Sequence, residues 1–205
     1  MEHRSRCLLV ATTNQGKLQE IRRLLSDAGV CVVGLSDFPQ ITLPPETGDS
    51  FAANAVIKVE AAARASGLPA VADDSGLEVL TLGGEPGVRS ARYAGEEADD
   101  RANNQLLLAR LQGKTERSAR FVCALAFGLP QEMPEVVMGE CHGEILEAPR
   151  GSHGFGYDPL FYVPEVGKTL AELTLDEKNR ISHRASALQG ARPGLIAMLK
   201  RAGGG

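Results

Sequence analysis

The stretch Val71-Ala72-Asp73-Asp74-Ser75-Gly76-Leu77 places two adjacent carboxylates at the end of a short apolar run. The run from Leu68 to Ala72 is typical of a buried strand, and a second apolar run follows from Leu77 to Leu82. We expect the backbone to turn at Gly76, so that the two runs form a pair of strands. Acidic side chains at a strand end suit a metal site or a general base, although a plain Asp-Ser-Gly turn is their commoner use. The stretch alone leaves both interpretations open.

Length and charge restrict the class of protein. The chain has 205 residues, 43% of them hydrophobic and 23% charged, which predicts a single globular domain over residues 1–205. The net charge of −4 argues against a nucleic-acid polymer as partner, because such partners favour basic surfaces. A small anionic ligand needs only a local positive cluster. No apolar run approaches the roughly 18 residues of a membrane-spanning helix, so we expect no membrane insertion.

The four cysteines are Cys7, Cys31, Cys123 and Cys141, and each sits in or beside an apolar run. Because they are scattered and form no C-x-x-C pair, we expect four small buried thiols in a reducing compartment. The N-terminus shows no signal peptide. Together these features predict a cytoplasmic protein.

Hydrophobic periodicity predicts alternating strands and helices early in the chain and longer β-rich runs later. The strand–loop–helix–strand order at the N-terminus indicates a parallel βαβ unit. The predicted strands lie at 7–11, 30–35, 119–129 and 136–146, and the last two are expected to form an antiparallel hairpin. The first three predicted helices run from Leu18 to Ala28, from a cap at Asp49 or Ser50 to Ser66, and from Asp99 to Leu111. Two more are predicted near the C-terminus, one after Ser182 and one from Pro193 to Arg201.

The segment Thr12-Thr13-Asn14-Gln15-Gly16-Lys17 connects the first predicted strand to the first helix. Backbone N–H groups and the helix dipole favour an anion at such a junction, and Lys17 adds a full positive charge. It is not a Walker A loop, because Ala11 replaces the first glycine and Leu18 replaces the hydroxyl residue after the lysine. A phosphate site and a polar turn with a solvated lysine are about equally compatible with this segment.

Two further charged side chains, Glu46 and Lys58, are candidates for the same chemistry. Glu46 with one of the two aspartates is a plausible magnesium pair, since Mg²⁺ is usually held by one or two carboxylates plus water and phosphates. Neighbouring strand residues point to opposite faces, so Asp73 and Asp74 are not expected to share one ion. Lys58 lies at helical spacing from Asn54. Taken singly, Glu46 and Lys58 are compatible with solvated surface residues.

The segment Ser152–Pro159 contains glycines on both sides of Phe155. An accessible aromatic face can stack on a nucleobase for about 1–3 kcal/mol. Asp158 could accept a hydrogen bond from a ring N–H. The alternative is an aromatic loop that covers the core.

The segment Lys178–Arg184 is rich in basic residues. On one continuous helix Lys178 and Arg184 would lie about 120° apart, so we expect an irregular turn with the last helix capped by Ser182. Such a turn could bring Lys178, His183 and Arg184 together as hydrogen-bond donors. A basic, solvated surface segment is the alternative.

These segments, in this order, resemble the inosine triphosphate pyrophosphatase family, the XTP/dITP house-cleaning enzymes. The matching stretches are TTNQGK (12–17), PPETGDSFAANAVIK (44–58), ADDSGLEV (72–79), PGVRSARYAG (86–95), GFGYDPLF (154–161) and EKNRISHR (177–184). The resemblance covers about residues 7 to 199. It implies an ITPase-like (Maf/ITPase-type) α/β fold, lobed, with a long mixed central β-sheet flanked by helices and an active-site cleft between the two lobes. It also implies a homodimer.

The resemblance further implies hydrolysis of non-standard purine nucleoside triphosphates (ITP, dITP and XTP) to the monophosphate and pyrophosphate, which removes them from the nucleotide pool. Glu46 and Asp74 would hold Mg²⁺, Asp74 would also activate water, and Asp73 would support it. The residues implied to bind substrate are Thr12, Thr13, Asn14, Gln15, Gly16, Lys17 and Lys58 for the triphosphate, Ser75 beside it, and Phe155, Gly156, Tyr157, Asp158, Lys178, His183 and Arg184 for the base.

The base-side residues suit hypoxanthine and xanthine chemically. Lys178 or Arg184 can donate to O6, and Asp158 can accept from N1–H. Adenine presents the reverse pattern, which would leave groups unpaired at about 1–3 kcal/mol each. Two other functions stay open: a pyrophosphatase for modified pyrimidine nucleotides, and a non-catalytic nucleotide-binding regulatory domain.

Overall fold

The computed structural model describes residues 7–27, 29–97 and 99–203. Ala28, which the first predicted helix was expected to include, lies outside these residues. The strands are β1 (Cys7–Val10), β2 (Cys31–Gly34), β3 (Ala70–Val79), β4 (Ser118–Gly128), β5 (Glu135–Ile145), β6 (Phe161–Val163) and β7 (Lys168–Thr169), and the helices are α1 (Gln15–Leu24), α2 (Phe51–Ser66), α3 (Asp100–Arg110), α4 (Leu175–Ile181) and α5 (His183–Gly203).

The seven strands form one mixed sheet in the order β2-β1-β3-β4-β5-β6-β7. β1 is parallel to both β2 and β3, which confirms the predicted βαβ unit around α1. β6 is antiparallel to both β5 and β7. β4 and β5 are neighbours, and the amide of Ile145 at the end of β5 donates to the carbonyl of Arg117 just before β4, as expected for a hairpin.

The described chain divides into two compact units, each with its own core. The first comprises the described residues up to Asp74, Cys123–Gly139 and the residues from Arg184 onward. The apolar stripes of α1 and α5 supply much of its core. Its buried side chains include Leu8, Val10, Leu18, Ile21, Leu25, Val71, Leu125, Phe127, Leu188, Leu195 and Met198.

The second unit comprises Ser75–Val122 and Glu140–His183. Its core combines the later half of β3 with α3, the start of β4 and the aromatic segment before β6. The buried side chains include Leu77, Val79, Leu107, Leu111, Phe121, Ile145, Tyr157, Leu160, Phe161, Leu170 and Leu173.

The expected turn at Gly76 is wrong, because β3 continues without interruption from Ala70 to Val79. Gly76 does not adopt a positive φ. The amide of Leu77, the next residue, donates to Ser90 Oγ at 2.8 Å, so an extended backbone is satisfied there by a side chain. Nearly every side chain of β3 is buried, and this burial stabilises the extended conformation. It outweighs the preference of Gly76 for a turn.

The two helices predicted near the C-terminus are a single helix, α5, which contains Pro193. Proline removes one intrahelical hydrogen bond and normally kinks or ends a helix. Here Ala191 and Leu195, on either side of Pro193, both remain buried in the core of the first unit. Packing therefore outweighs the proline.

The prediction of four thiols is wrong at Cys7 and Cys31, which form a disulfide. The two residues are directly opposite each other in the parallel β1–β2 register, and their Cα atoms lie 4.4 Å apart. The two cysteines are 24 positions apart in the sequence, and no local pattern indicates that they pair. Cys123 and Cys141 are buried and form no disulfide, as predicted.

Among the described residues, no helix combines the length and the apolar character that crossing a membrane requires.

Candidate active site

The segment from Thr12 to Lys17 connects the end of β1 to the first turn of α1, as the sequence predicts. Asn14 caps the helix, and its side chain accepts a hydrogen bond from the Lys17 amide at 3.1 Å. The Asn14 amide in turn donates to Thr12 Oγ1 at 3.2 Å. Thr13, Asn14 and Gln15 are exposed. The loop therefore presents a helix N-terminus to an anion.

Asp74 faces helix α2. Its Oδ2 accepts a hydrogen bond from Asn54 Nδ2 at 3.0 Å, and its Oδ1 lies 3.5 Å from Lys58 Nζ. Lys58 also pairs with Glu46 at 2.7 Å. Asn54 and Lys58 are four residues apart, so they share one face of the helix. Ser50, whose hydroxyl accepts from the Ala53 amide, caps this helix as predicted.

The charges in this cluster are strongly coupled. Burial raises the pKa of Asp74; Lys58 lowers it, Glu46 raises it, and the net shift is upward. Burial alone would lower the pKa of Lys58, but Asp74, Asp73 and Glu46 together raise it. Lys58 is therefore a charged ammonium at neutral pH, and Asp74 is a stronger base than an exposed aspartate.

Asp73 makes contacts different from those of Asp74, which is what alternation along a strand requires. Its Oδ2 lies 3.1 Å from Lys17 Nζ and accepts from Arg184 Nη2 at 2.9 Å. Arg184 also pairs with Glu20, and its side chain is only 1% exposed. Burial lowers the pKa of Arg184, but Asp73 and Glu20 outweigh that effect and raise it. This buried network connects β3, α1 and α5.

Two side chains of this group were not predicted as site residues. Glu20 lies three residues after Lys17, so helical spacing already places both on one side of α1. Asn54 is similarly one turn before Lys58. The sequence shows the helical spacing in both cases. It does not show that α1 faces Asp73 or that α2 faces Asp74.

Glu46 and Asp74 fit a divalent cation by their chemistry. Both offer hard carboxylate oxygens, and the charge of Glu46 raises the pKa of Asp74, so a cation would relieve a repulsion already present. Within residues 7–27, 29–97 and 99–203, no group of three or more His, Cys, Asp or Glu side chains is arranged to hold a metal. A two-carboxylate site completed by water and phosphate oxygens does not need a third such side chain.

In the second unit, Phe155, Asp158 and Lys178 lie together. Lys178 Nζ is 4.7 Å from the centre of the Phe155 ring and 2.5 Å from Asp158 Oδ2. That same oxygen accepts from the Phe155 amide at 3.0 Å. Gly154 has φ +76°, and a Cβ there would collide with the Asp158 carboxylate, so the glycine is required. The predicted combination of an aromatic face, a cation and a carboxylate is thus brought together.

His183 stacks on Phe121, with the ring centres 4.8 Å apart and the planes 14° from parallel. Phe121, on β4, was not predicted, and no local signal identifies it. Tyr157 is buried, and its hydroxyl donates to the carbonyl of Ser90 at 2.8 Å. Ser75 is half-buried.

The expected turn between Lys178 and Arg184 is a single residue. Ser182 has extended backbone angles and separates α4 from α5. Lys178 pairs with Asp158 and His183 stacks on Phe121 in the second unit, whereas Arg184 pairs with Asp73 and Glu20 in the first.

The profile of the Ham1 family matches residues 8–193 of this sequence. The chain belongs to the Ham1 family. The matched range contains all the predicted site residues from Thr12 to Arg184, so the family resemblance inferred from the motifs is confirmed.

Relatives within the Ham1 family are similar over nearly their whole length. The dITP/XTP pyrophosphatase of Geobacillus kaustophilus is 54% identical over 183 residues, covering 88% of this chain and 90% of that protein. The dITP/XTP pyrophosphatase of Bacillus subtilis is 50% identical over 183 residues, covering 88% and 92%. The structure of a HAM1 protein from Coxiella burnetii is 42% identical and superposes with a TM-score of 0.84, covering 93% of this chain and 98% of that one. The predicted α/β fold with a mixed sheet is thereby confirmed.

Proposed function

We propose that this chain hydrolyses the non-standard purine nucleoside triphosphates ITP, dITP and XTP to the monophosphate and pyrophosphate. The observation that carries the proposal is the buried Asp74 carboxylate with Lys58 and Glu46 beside it, in a family whose members include proteins named dITP/XTP pyrophosphatase. Hydrolysis of a phosphoanhydride needs positioning, charge neutralisation and an oriented water rather than covalent chemistry by the protein. These residues can supply each of the three.

The triphosphate is assigned to the first unit. The residues from Thr12 to Lys17 offer a helix N-terminus and one lysine, and Lys58 adds a second charge. Ser75, directly after Asp74 in β3, is assigned a contact with the substrate. The exposure of Thr13, Asn14 and Gln15 supports this assignment, since phosphate oxygens are commonly bound at a helix N-terminus.

Asp74 is assigned as the base that takes a proton from the attacking water. The hydrogen bond from Asn54 fixes the orientation of the Asp74 carboxylate, which can accept a proton from a water bound beside it. The new bond joins the water oxygen to phosphorus as the α–β bridging bond breaks, and pyrophosphate leaves. Glu46 and Asp74 would hold Mg²⁺, which when bound neutralises phosphate charge. Asp73 supports Asp74 from the neighbouring position while pairing with Lys17.

The base is assigned to the second unit. Phe155 would stack on it, Lys178 would donate to O6 and Asp158 would accept from N1–H. Gly156, Tyr157 and His183 complete the set in this unit. Arg184, which the family resemblance also implies for the base, pairs with Asp73 and Glu20 in the first unit. The contact of Lys178 with both Phe155 and Asp158 supports this assignment, because it places a donor and an acceptor beside an aromatic face.

A homodimer of single-domain chains, each with two lobes, and a cytoplasmic location are further parts of the proposal. Light scattering coupled to size exclusion tests the dimer, with about twice the 21.7 kDa chain mass expected. A mass equal to one chain would remove the dimer and leave the proposed chemistry unaffected.

The proposed reaction is tested by incubating the protein with a nucleotide panel and identifying the products. ITP, dITP and XTP with Mg²⁺ are expected to give monophosphate and pyrophosphate, and chelation of the metal is expected to stop turnover until Mg²⁺ is restored. Formation of diphosphate and orthophosphate would contradict the assigned bond. A preference for dUTP or dTTP would favour the pyrimidine alternative, and tight ITP binding without turnover would favour a regulatory domain.

A further inference from the structure

Helix α3 contacts both backbone polar groups of Gly156. The Gly156 amide donates to Asp100 Oδ2 at 2.6 Å, and the Gly156 carbonyl accepts from Asn104 Nδ2 at 2.9 Å. Asp100 and Asn104 are one helical turn apart, so both lie on one face of α3. Neither residue belongs to the motifs on which the family resemblance rests. The helix therefore makes a two-point contact with the segment that carries Phe155.

The segment around Phe155 is rich in glycine, so its own conformational preferences do not fix its backbone. Gly151, Gly154 and Gly156 have φ of +82°, +76° and +62°, and residues 151–154 are exposed. Glycines in this region of conformational space retain many alternatives, and ordering each residue costs backbone entropy. A loop of this composition does not fix an aromatic ring by its own preferences.

Phe155 and the two residues after it are each held by a different group. The Phe155 amide donates to Asp158, and the Tyr157 hydroxyl donates to the Ser90 carbonyl. Between them, the contacts that fix the Gly156 peptide come from Asp100 and Asn104. Asp100 contacts the peptide group between Phe155 and Gly156, and Asn104 contacts the next one, so together they set the direction in which the chain leaves Phe155.

Asn104 is itself oriented within α3. Its Nδ2 group donates both to Gly156 and to the Asp100 carbonyl at 2.8 Å, so its two amide hydrogens are used in fixed directions. The preceding residue, Asn103, donates to the Ala91 carbonyl and accepts from the Ala94 amide. The first turns of α3 thus hold the segment before the helix as well as the aromatic loop.

We propose that Asp100 and Asn104 are positioning residues that hold the Gly156 peptide so that Phe155 presents its ring to the purine base. This inference rests on the proposed function, because it concerns the base half of the same substrate. Neither side chain is assigned a contact with the nucleotide. Their effect passes through the backbone of Gly156 to Phe155.

The variants Asn104→Asp, Asp100→Ala and Asp100→Asn test the proposal, with Gln105→Ala as the matched control on an exposed position of α3. Asn104→Asp keeps the shape of the side chain but replaces the donor Nδ2 with a carboxylate oxygen. That oxygen would face the carbonyls of Gly156 and Asp100, which need a donor. We expect it to raise KM for ITP about tenfold, and Asp100→Ala about threefold, with kcat within about twofold of the wild type. Asp100→Asn keeps an acceptor for the Gly156 amide and should restore KM.

Two measurements separate positioning from general destabilisation. Inhibition by inorganic tripolyphosphate, which has no base, should be unchanged in all variants, whereas inhibition by inosine monophosphate should weaken in parallel with KM. Hydrogen exchange of the peptide containing Gly156 should accelerate in Asp100→Ala and remain slow in Gln105→Ala, because the amide loses its acceptor only in the former.

The outcomes distinguish this proposal from the proposed function. Unchanged KM in Asn104→Asp and Asp100→Ala, with a wild type that converts ITP to monophosphate, would overturn the positioning role alone. Equal weakening of tripolyphosphate and inosine monophosphate would also overturn it, since the defect would then be global. A wild type that does not hydrolyse ITP would overturn the proposed function, and the base-positioning role with it.

Discussion

Asp73 and Asp74 are adjacent in sequence, yet their carboxylates have separate partners. Asp74 contacts Asn54 and Lys58, and Asp73 contacts Lys17 and Arg184. The period of two in a strand produces this separation without any special backbone geometry. One strand can therefore supply a candidate base and a buried structural anion from consecutive positions.

Substituting Asp74 by Asn tests this separation. The amide keeps the size of the side chain but cannot accept the water proton, and we expect kcat to fall by about 10²–10⁴-fold, the usual range for losing a general base. Steady-state kinetics on ITP measures the loss, and calorimetry should show that ITP still binds. Turnover like that of the wild type would remove Asp74 from the proposed mechanism.

At the scale of residues, the sequence was informative where chemistry and local spacing coincide. The strand–loop–helix junction at 12–17 and the glycines beside Phe155 can both be recognised from residues that are adjacent in the sequence. Glu20, Phe121 and Asn104 could not be recognised in this way. Each acts on a partner more than 50 residues away along the chain, and sequence spacing carries no information about such distances.

Among the elements, α2 shows the closest agreement between sequence and structure. Ser50 caps it, Gly67 closes it with φ +71°, and Asn54 and Lys58 lie on one face, as their spacing predicts. The signals at both ends are local, so they are readable without knowledge of the fold. This helix also places Asn54 and Lys58 beside Asp74.

The cap of α2 can be tested directly. Ser50→Ala removes the acceptor for the Ala53 amide, and we expect the free energy of unfolding to fall by about 1 kcal/mol. Ser50→Asp keeps an acceptor and should retain most of the stability. Denaturant titration of both variants measures the difference; equal stability of Ser50→Ala and wild type would show that the cap does not contribute.

The elements that differ from prediction, β3 and α5, fail for one shared reason. Gly76 and Pro193 are strong local signals, but each sits among side chains that are buried in a core. Propensity contributes about 1–3 kcal/mol at one position, and burial of several neighbouring apolar side chains contributes more. Local signals are reliable at the ends of elements and unreliable inside them when the flanks are buried.

For the whole molecule, the β1–β2 disulfide adds a covalent contribution to stability. It closes a sequence separation of 24 residues, which by the chain-entropy estimate stabilises the fold by about 3 kcal/mol. Reduction should therefore lower the melting temperature by roughly 6–12 °C. Thiol titration after denaturation should find two free thiols without reductant and four with it. A Cys7→Ser/Cys31→Ser variant should melt identically with and without reductant.

Alkaline pH should destabilise the protein through two buried or partly buried groups. Burial, reinforced by Glu165 and Asp158, raises the pKa of the Cys141 thiol to about 11, and burial with Glu85 raises the pKa of Tyr93 to about 12. The folded state therefore keeps these protons to higher pH than the unfolded chain, in which the two groups titrate near 8.5 and 10. Their contribution to stability is complete below pH about 8.5 and is lost as the pH rises through 11 and 12.

The measurement is the melting temperature between pH 8 and pH 12. The wild type should lose stability over this range, and Cys141→Ala and Tyr93→Phe should each make the decline shallower. An identical decline in the wild type and in both variants would show that other groups control alkaline unfolding.

The pairing of Cys7 with Cys31 has a consequence for how the sheet is assembled. The two residues are direct register partners, and a slip of one position between β1 and β2 would turn their side chains to opposite faces. The sulfur atoms could then not meet. The Cys7–Cys31 bond is thus compatible with the native alignment of β1 and β2 and incompatible with a one-residue slip, so mapping this particular disulfide in a refolding mixture distinguishes the two alignments.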